Sequence, residues 1–177
     1  MIAPRRRHAF TLLELILVIA IIASLAALIL PVVGQVRARA DATVCQNNLR
    51  QIGISAQLYA GEHEQTFPTI EPWPSKPAFG ESDGAQSLLD ALQPYGVTDA
   101  TLTCRTDVAG PNYKAKEGSS YEWCPMANGQ KLQAVKLVWP GSFDIPLSAL
   151  IIAFDYSAVH AHRSHVLFGD GHVGVSE

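Results

Sequence analysis

The chain has 177 residues, and its formal net charge at pH 7 is −3. This length accommodates one domain of moderate size. Because 48% of the residues are hydrophobic and only 16% are charged, intrinsic disorder is excluded. A net negative charge does not favour binding to the phosphates of nucleic acid, so we expect no nucleic-acid partner. Three cysteines are too few for a small fold that depends on disulfide bonds.

The hydrophobic residues are concentrated in one segment, residues 10–33, which follows the basic cluster Arg5, Arg6 and Arg7. As a helix this segment would be about 36 Å long, enough to cross a hydrocarbon core of about 30 Å. The chain contains no second apolar run of this length, which excludes a polytopic membrane protein. The basic cluster predicts a single inner-membrane span with a cytoplasmic N-terminus and a periplasmic or extracellular C-terminal domain.

Three interpretations of this segment are open. The first is a secretory signal peptide cut after Ala40, and the second is a plain membrane anchor. The third is a membrane helix in which Glu14 has a functional role. Glu14 favours the third, because it is the only charged residue between Phe10 and Val36. A carboxylate inside a membrane helix is costly and is usually functional.

The order of residues around Glu14 resembles a known motif. Three arginines, Ala9, Phe10-Thr11-Leu12-Leu13-Glu14 and an apolar helix containing Pro31 resemble the prepilin cleavage and methylation motif of type IV pilins and type II secretion pseudopilins. The resemblance implies that prepilin peptidase cuts between Ala9 and Phe10, and that Phe10 is then N-methylated. Ala9 stands where the family usually has glycine. The resemblance also implies that Glu14 meets the N-terminal amine of a neighbouring subunit during assembly.

The pattern after the apolar segment predicts that the helix continues in amphipathic form over residues 34–60, with Gly61 as its C-cap. The predicted organisation is a leader over residues 1–9, a membrane and assembly helix over 10–33, the amphipathic continuation over 34–60, and an extracytoplasmic globular domain over 61–177. Apolar or small residues form the predicted buried stripe of the second half: Ala38, Ala42, Cys45, Leu49, Ile52, Ala56 and Tyr59.

The remaining residues predict a small antiparallel sheet. Prolines and glycines indicate an irregular loop over residues 66–84, a short helix over 85–92 stopped by Pro94, and turns over 109–118. Strands are predicted over residues 147–155, 164–168 and 172–176, and Gly169-Asp170-Gly171 predicts a hairpin between the last two. The predicted fold class is therefore α+β and pilin-like, with a long helix packed on the sheet.

The C-terminal region resembles a pseudopilin-like subfamily with a histidine, nine residues and then Asp-Gly. His160, Asp170 and Gly171 fit that spacing, and Cys104 lies in a segment similar to the subfamily's central cysteine region. The resemblance implies relatives of this chain but assigns no biochemical activity to the domain.

A cluster of histidines provides a second, competing hypothesis. His160, His162, His165 and Asp170 are candidate ligands of a transition metal, with His172 and Asp155 nearby, because residues two apart on a strand share a face. Such a site would make the chain a membrane-anchored metal-binding or hydrolytic module. The alternative is that these side chains only stabilise the ends of a hairpin. We expect no cofactor and no enzymatic activity. We expect a structural subunit whose partners are other pilin-like subunits and prepilin peptidase.

Three disulfide pairings are possible among Cys45, Cys104 and Cys124. An extracytoplasmic compartment permits a disulfide, and the pair Cys104–Cys124 is favoured. Cys45 is interpreted as a small buried hydrophobic residue. The three tryptophans are expected in the core, since a domain of this size needs large apolar side chains. They are Trp73, Trp123 and Trp139.

Overall fold

The computed structural model describes residues 12–71, 86–133, 135–138, 142–156, 160 and 163–176. Ala9, Phe10, Trp73, Trp139 and His162 lie outside these residues. The chain forms two compact units, Met1–Arg39 and Ala40–Glu177.

Helix α1 (Leu12–Glu62) is the longest element, and Pro31 lies inside it. Proline removes one backbone hydrogen bond but does not end the helix here. Within the first unit, the described side chains are all exposed. By length and composition, α1 is the one helix in the described part of the chain that is able to cross a membrane. The predicted continuation of the helix beyond the apolar segment is confirmed.

The second half of α1 supplies one face of the core of the second unit. Ala38 is exposed and Ala42 is only half-buried, so the buried stripe starts later than predicted. Gly61 lies inside the helix rather than capping it. The chain reverses instead at Glu64 and Gln65, which both have positive φ angles. The buried residues of the helix are Cys45, Leu49, Ile52, Gly53, Ser55, Ala56 and Ala60.

Three short helices follow α1: α2 (Leu88–Leu92), α3 (Arg105–Ala109) and α4 (Tyr113–Glu117). Of these, α4 lies within residues 109–118, where turns were predicted. Ser87 caps α2, whose Asp90 N–H donates to the serine side chain. Asn112 and Gly118, both left-handed, enclose α4, so one turn of helix fits where composition alone indicated turns. The helix predicted over residues 85–92 is confirmed with a later start, since α2 ends at Leu92 and Pro94 lies in the 3₁₀ turn directly after it. The 3₁₀ turns span Gln93–Tyr95 and Pro125–Ala127.

Six strands are present in the described residues: β1 (Tyr121–Trp123), β2 (Val135–Val138), β3 (Ser142–Ile145), β4 (Ile151–Asp155), β5 (Ser164–Phe168) and β6 (Val173–Ser176). They form a four-stranded antiparallel sheet in the order β1-β4-β5-β6 and a separate antiparallel pair of β2 and β3. The predicted strand over residues 164–168 is confirmed, and the flanking predictions are confirmed with shorter bounds. The strands β1, β2 and β3 were not predicted.

The core lies between α1 and the four-stranded sheet. An added Cβ at Gly53 would lie 2.9 Å from Leu167 Cδ1, which shows how closely helix and strand approach. Asn48 donates to Thr103 O and to Tyr121 Oη, both at 3.1 Å. Trp123 is 1% exposed, so its predicted core position is confirmed. The α+β fold class is confirmed and is consistent with a pilin-like fold.

Candidate functional site

The processing motif is only partly visible in the structure. Glu14 lies in the first turn of α1, near the positive end of the helix dipole, where a carboxylate is favourable. Ser24 donates its hydroxyl proton to Ile21 O at 2.8 Å, so this polar side chain is satisfied within the apolar segment by its own helix. The cleavage site at Ala9 and Phe10 lies outside the described residues, so its use stays a prediction.

A second site is buried in the globular unit, on the face of the sheet that packs against α1. Tyr121 pairs with Asp155, and Ala153 pairs with Leu167 across the next strand boundary. This register sets Asp155 at the end of β4 beside His165 of β5. His165 Nδ1 lies 2.6 Å from Asp155 Oδ2, and the backbone N–H of His165 donates to the same oxygen at 3.1 Å. Both side chains are almost fully buried.

His160 completes this buried group from the segment between β4 and β5. Its Nε2 atom lies 3.8 Å from Asp155 Oδ2 and 3.4 Å from Cys104 Sγ. Its ring centroid is 4.8 Å from that of His165. Burial lowers the pKa of His160, and the neighbouring His165 adds to the shift, while the Asp155 carboxylate opposes it. The lowered pKa favours the neutral form of the imidazole.

The disulfide next to this group differs from the predicted one. Cys45 of α1 is bonded to Cys104, and their Cα atoms are 5.6 Å apart. The preference for Cys104–Cys124 was therefore wrong, as was the view of Cys45 as an unbonded residue. Cys104 directly precedes α3 and is buried against α1, where the stripe residue Cys45 faces it. Cys124 is a free, half-buried thiol, and burial raises its pKa.

The residues of the predicted histidine–aspartate–glycine motif, His160, Asp170 and Gly171, do not form one group in the structure. His160 contacts Cys104 and Asp155, as described above. Asp170 lies in the turn between β5 and β6, where its Oδ1 accepts from the N–H of His172 at 3.1 Å and lies 2.6 Å from His172 Nδ1. Gly171 has a φ of +91°, which favours glycine. The predicted hairpin is thus confirmed.

The structure brings together part of the predicted metal set, and His162 lies outside the described residues. His160 and His165 lie close to Asp155, with one ligand atom of each within 4.8 Å of the others. Asp170 instead pairs with His172 at the surface. Asp155 was noted only as a flanking residue, and the approach of Cys104 to His160 was missed. The signal available in the sequence was the strand register, because the hairpin at Gly169-Asp170-Gly171 fixes which residues of β5 point inward. No sequence pattern revealed the position of Cys104.

A buried aspartate organises the chain next to the disulfide. Asp107 is fully buried and accepts hydrogen bonds from the N–H groups of Tyr113 and Lys114 at 2.8 and 2.9 Å. The Ser120 hydroxyl donates to Asp107 Oδ2 at 2.7 Å, and Ser120 Oγ accepts from the Cys104 N–H at 3.0 Å. This network joins α3, α4 and the start of β1, so we assign Asp107 a structural role.

Comparison with known proteins adds one finding. Residues 4–30 match the family described as the prokaryotic N-terminal methylation motif. The match supports a pilin-like protein and implies a substrate of prepilin peptidase. Together with the apolar helix it is consistent with membrane anchoring. No curated protein and no solved structure matches the chain.

Proposed function

We propose that this chain is a structural subunit of a type IV pilus or a type II secretion pseudopilus. Prepilin peptidase cuts it between Ala9 and Phe10, and the new N-terminus at Phe10 is methylated. The subunit then assembles with other pilin-like subunits through α1. In this proposal the chain has a structural role and catalyses no reaction.

The observation that carries the proposal is the composition of α1 within the residues that match the methylation motif. The described side chains of the first unit are exposed in the isolated chain, and most of them are apolar. A surface this apolar is stable in a lipid bilayer or against the same helix of other subunits, but not in water. A membrane-held subunit that later enters a filament occupies both environments in turn.

Glu14 supplies the register in this proposal. A carboxylate in an apolar helix is tolerated when a cation meets it, and such buried pairs specify an arrangement more than they stabilise it. Cleavage after Ala9 would create a cation, the amine of Phe10, at the start of the same helix. Pairing of that amine with Glu14 of a neighbouring subunit would stagger the two helices by a fixed distance.

The location of the globular unit has independent support. A Cys45–Cys104 disulfide is expected in an oxidising compartment, such as the periplasm or the cell exterior. The arginines before the apolar segment favour a cytoplasmic N-terminus. We therefore propose a single-pass inner-membrane precursor whose C-terminal domain is extracytoplasmic. The spacing of His160 and Asp170-Gly171 further suggests the pseudopilin-like subfamily described above.

Substitution of Glu14 tests the assembly step. We expect Glu14→Ala to be inserted, cleaved and folded, with the disulfide formed, and to give far fewer filaments in the sheared surface fraction. Glu14→Asp keeps the charge and is the matched control, for which we expect substantial recovery of assembly. Unchanged filament yield in Glu14→Ala would contradict the role of the carboxylate.

Substitution of Ala9 tests the processing step separately. We expect Ala9→Lys to block cleavage, because a long charged side chain replaces the small residue before the cut. Ala9→Gly restores the family's usual residue and should be cleaved at least as well as the native chain. A mature band of normal size from Ala9→Lys on a denaturing gel would contradict the proposed cleavage site.

A further inference from the structure

We infer that Asp155, His160 and His165 bind a divalent transition-metal ion of the Zn²⁺ type beside the Cys45–Cys104 disulfide. One ligand atom from each of the three residues lies within 4.8 Å of the other two. Two imidazole nitrogens and one carboxylate are a common protein ligand set for Zn²⁺ in open sites, where water takes the fourth position. This inference is independent of the role of α1 in assembly.

The distances require little movement to admit an ion. Zn²⁺ bonds nitrogen and oxygen at about 2.0–2.2 Å, so ligand atoms around a tetrahedral ion are about 3.3 Å apart. His160 Nε2 and Asp155 Oδ2 are already 3.8 Å apart. His165 Nδ1 and Asp155 Oδ2 are 2.6 Å apart, which is a hydrogen bond, and this contact must open by about 0.7 Å. His165 would then bind as the tautomer with its proton on Nε2.

An unsatisfied atom in the same group points to a ligand. Asp155 Oδ1 is buried and has no hydrogen-bond partner among the described residues. The whole side chain is only 2% exposed, so bulk water does not reach this oxygen. Buried carboxylate oxygens are normally satisfied by donors or by a cation, because water cannot solvate them. An ion bound by both carboxylate oxygens would neutralise Asp155 and satisfy Oδ1, and it would replace the hydrogen bond from the His165 ring to Oδ2.

The fold holds two of the three ligands rigidly. Asp155 and His165 lie on neighbouring strands of the sheet, and the main chain between β4 and β5 brings His160 over them. The disulfide restricts the donor set to nitrogen and oxygen, since bonded sulfurs are not thiolates. If the disulfide were reduced, Cys45, Cys104 and His160 would form an alternative group, because their ligand atoms also lie within 4.8 Å of one another.

The test uses the purified full chain in detergent, with the disulfide intact and metal first removed by a chelator. Titration with ZnCl₂ followed by calorimetry should give saturable binding of one ion per chain. Co²⁺ should give the visible absorption of a tetrahedral nitrogen and oxygen site. It should not give the charge-transfer band of a thiolate ligand. We expect Zn²⁺ to raise the midpoint of thermal unfolding.

Two variants locate the site. His160→Ala removes a ligand that lies between strands, and we expect its affinity for Zn²⁺ to fall about tenfold or more. The control is His172, which like His165 lies 2.6 Å from an aspartate oxygen but is at the surface. His172→Ala should bind Zn²⁺ as the native chain does. A third variant, Asp155→Asn, removes the charge of the carboxylate ligand and should also lower the affinity for Zn²⁺. If Asp155→Asn does not fold, His160→Ala decides the question.

Three outcomes would overturn the inference. They are absence of Zn²⁺ binding by the oxidised native chain, unchanged affinity in His160→Ala, and binding that appears only after reduction of the disulfide. The last outcome would assign the ion to Cys45 and Cys104 instead.

Discussion

Gly53 of α1 lies directly against Leu167 of β5, so that an added Cβ would be 2.9 Å from Leu167 Cδ1 and 3.4 Å from Cδ2. Leu167 is fully buried, and its side chain has little room to move away. This contact sets how closely the long helix approaches the sheet. Glycine is otherwise unfavourable inside a helix by roughly 0.5–1 kcal/mol relative to alanine, which indicates that close packing determines the residue at this position.

Substitution of Gly53 should therefore destabilise the globular unit. We expect Gly53→Ala to lower the free energy of unfolding by about 1–3 kcal/mol, the usual cost of overpacking a core. Chemical denaturation of the purified chain measures the change. Gly61→Ala is the control, because Gly61 is also helical and has no atom within 4 Å of an added Cβ. It should be neutral or stabilising by up to about 1 kcal/mol. Equal stability of the two variants would contradict this packing.

The disulfide pairing is testable by peptide mapping. Under non-reducing conditions, proteolysis should release a peptide pair containing Cys45 and Cys104, with Cys124 recovered as a free thiol. Because the two cysteines are 59 residues apart, loss of the bond in Cys104→Ser should cost about 4 kcal/mol in the chain-entropy description. Cys124→Ser keeps the bond and should change stability much less. A linked peptide containing Cys104 and Cys124 would refute the assignment.

Asp107 should contribute substantially to the stability of the globular unit. Asp107→Ala leaves the N–H groups of Tyr113 and Lys114 without their acceptor in a buried position. We expect a loss of at least about 2 kcal/mol in the free energy of unfolding, since hydrogen bonds to buried charged groups are strong. Asp90→Ala, at the exposed first turn of α2, should cost about 1 kcal/mol or less. Native-like stability of Asp107→Ala would contradict the network.

Ionisation of Asp170 in its turn should make the free energy of unfolding depend on pH in the acid range. Desolvation opposes ionisation of Asp170, but the N–H and ring of His172 outweigh it and hold the pKa of Asp170 below its ordinary value. A folded-state pKa below the unfolded value adds stability at pH values above the unfolded pKa. This stability is lost as the pH falls through the folded pKa.

The matched variant for this effect is Asp170→Asn, which keeps an oxygen acceptor and removes the charge. Thermal unfolding of both proteins between pH 6 and pH 2 should show the stability advantage of the native chain shrinking below about pH 4. A constant difference between the two proteins across this range would show that ionised Asp170 contributes nothing.

Local patterns in the sequence were sufficient for the elements that have a repeating or turn signal. The spacing of Cys45, Leu49, Ile52 and Ala56 predicted the buried face of α1 because helix periodicity is local. Gly169-Asp170-Gly171 predicted the β5–β6 hairpin because the turn needs a residue with positive φ, and Gly171 has one. The short helices α3 and α4 have five residues each and are too short to show periodicity.

The buried group around Asp155 required information that is not local. Its assembly depends on the pairing of β4 with β5, which includes an irregularity between Ile151 and Ala153 that shifts the register. Proximity in sequence instead suggested Asp170 as a candidate ligand beside the histidines, and Cys124 as the partner of Cys104. In the folded chain, tertiary contacts bring Asp155 and Cys45 to those positions.

The central claim is that the chain is a processed, pilin-like subunit, and the N-terminus of the protein in cells tests it most directly. Mass spectrometry of the N-terminal peptide should find a chain that begins at Phe10 and carries one methyl group on its amine. A control strain without prepilin peptidase should retain the Arg5–Arg7 segment. A protein that begins at Met1 or Asp41 in the peptidase-positive strain, with no methylated Phe10, would contradict the account.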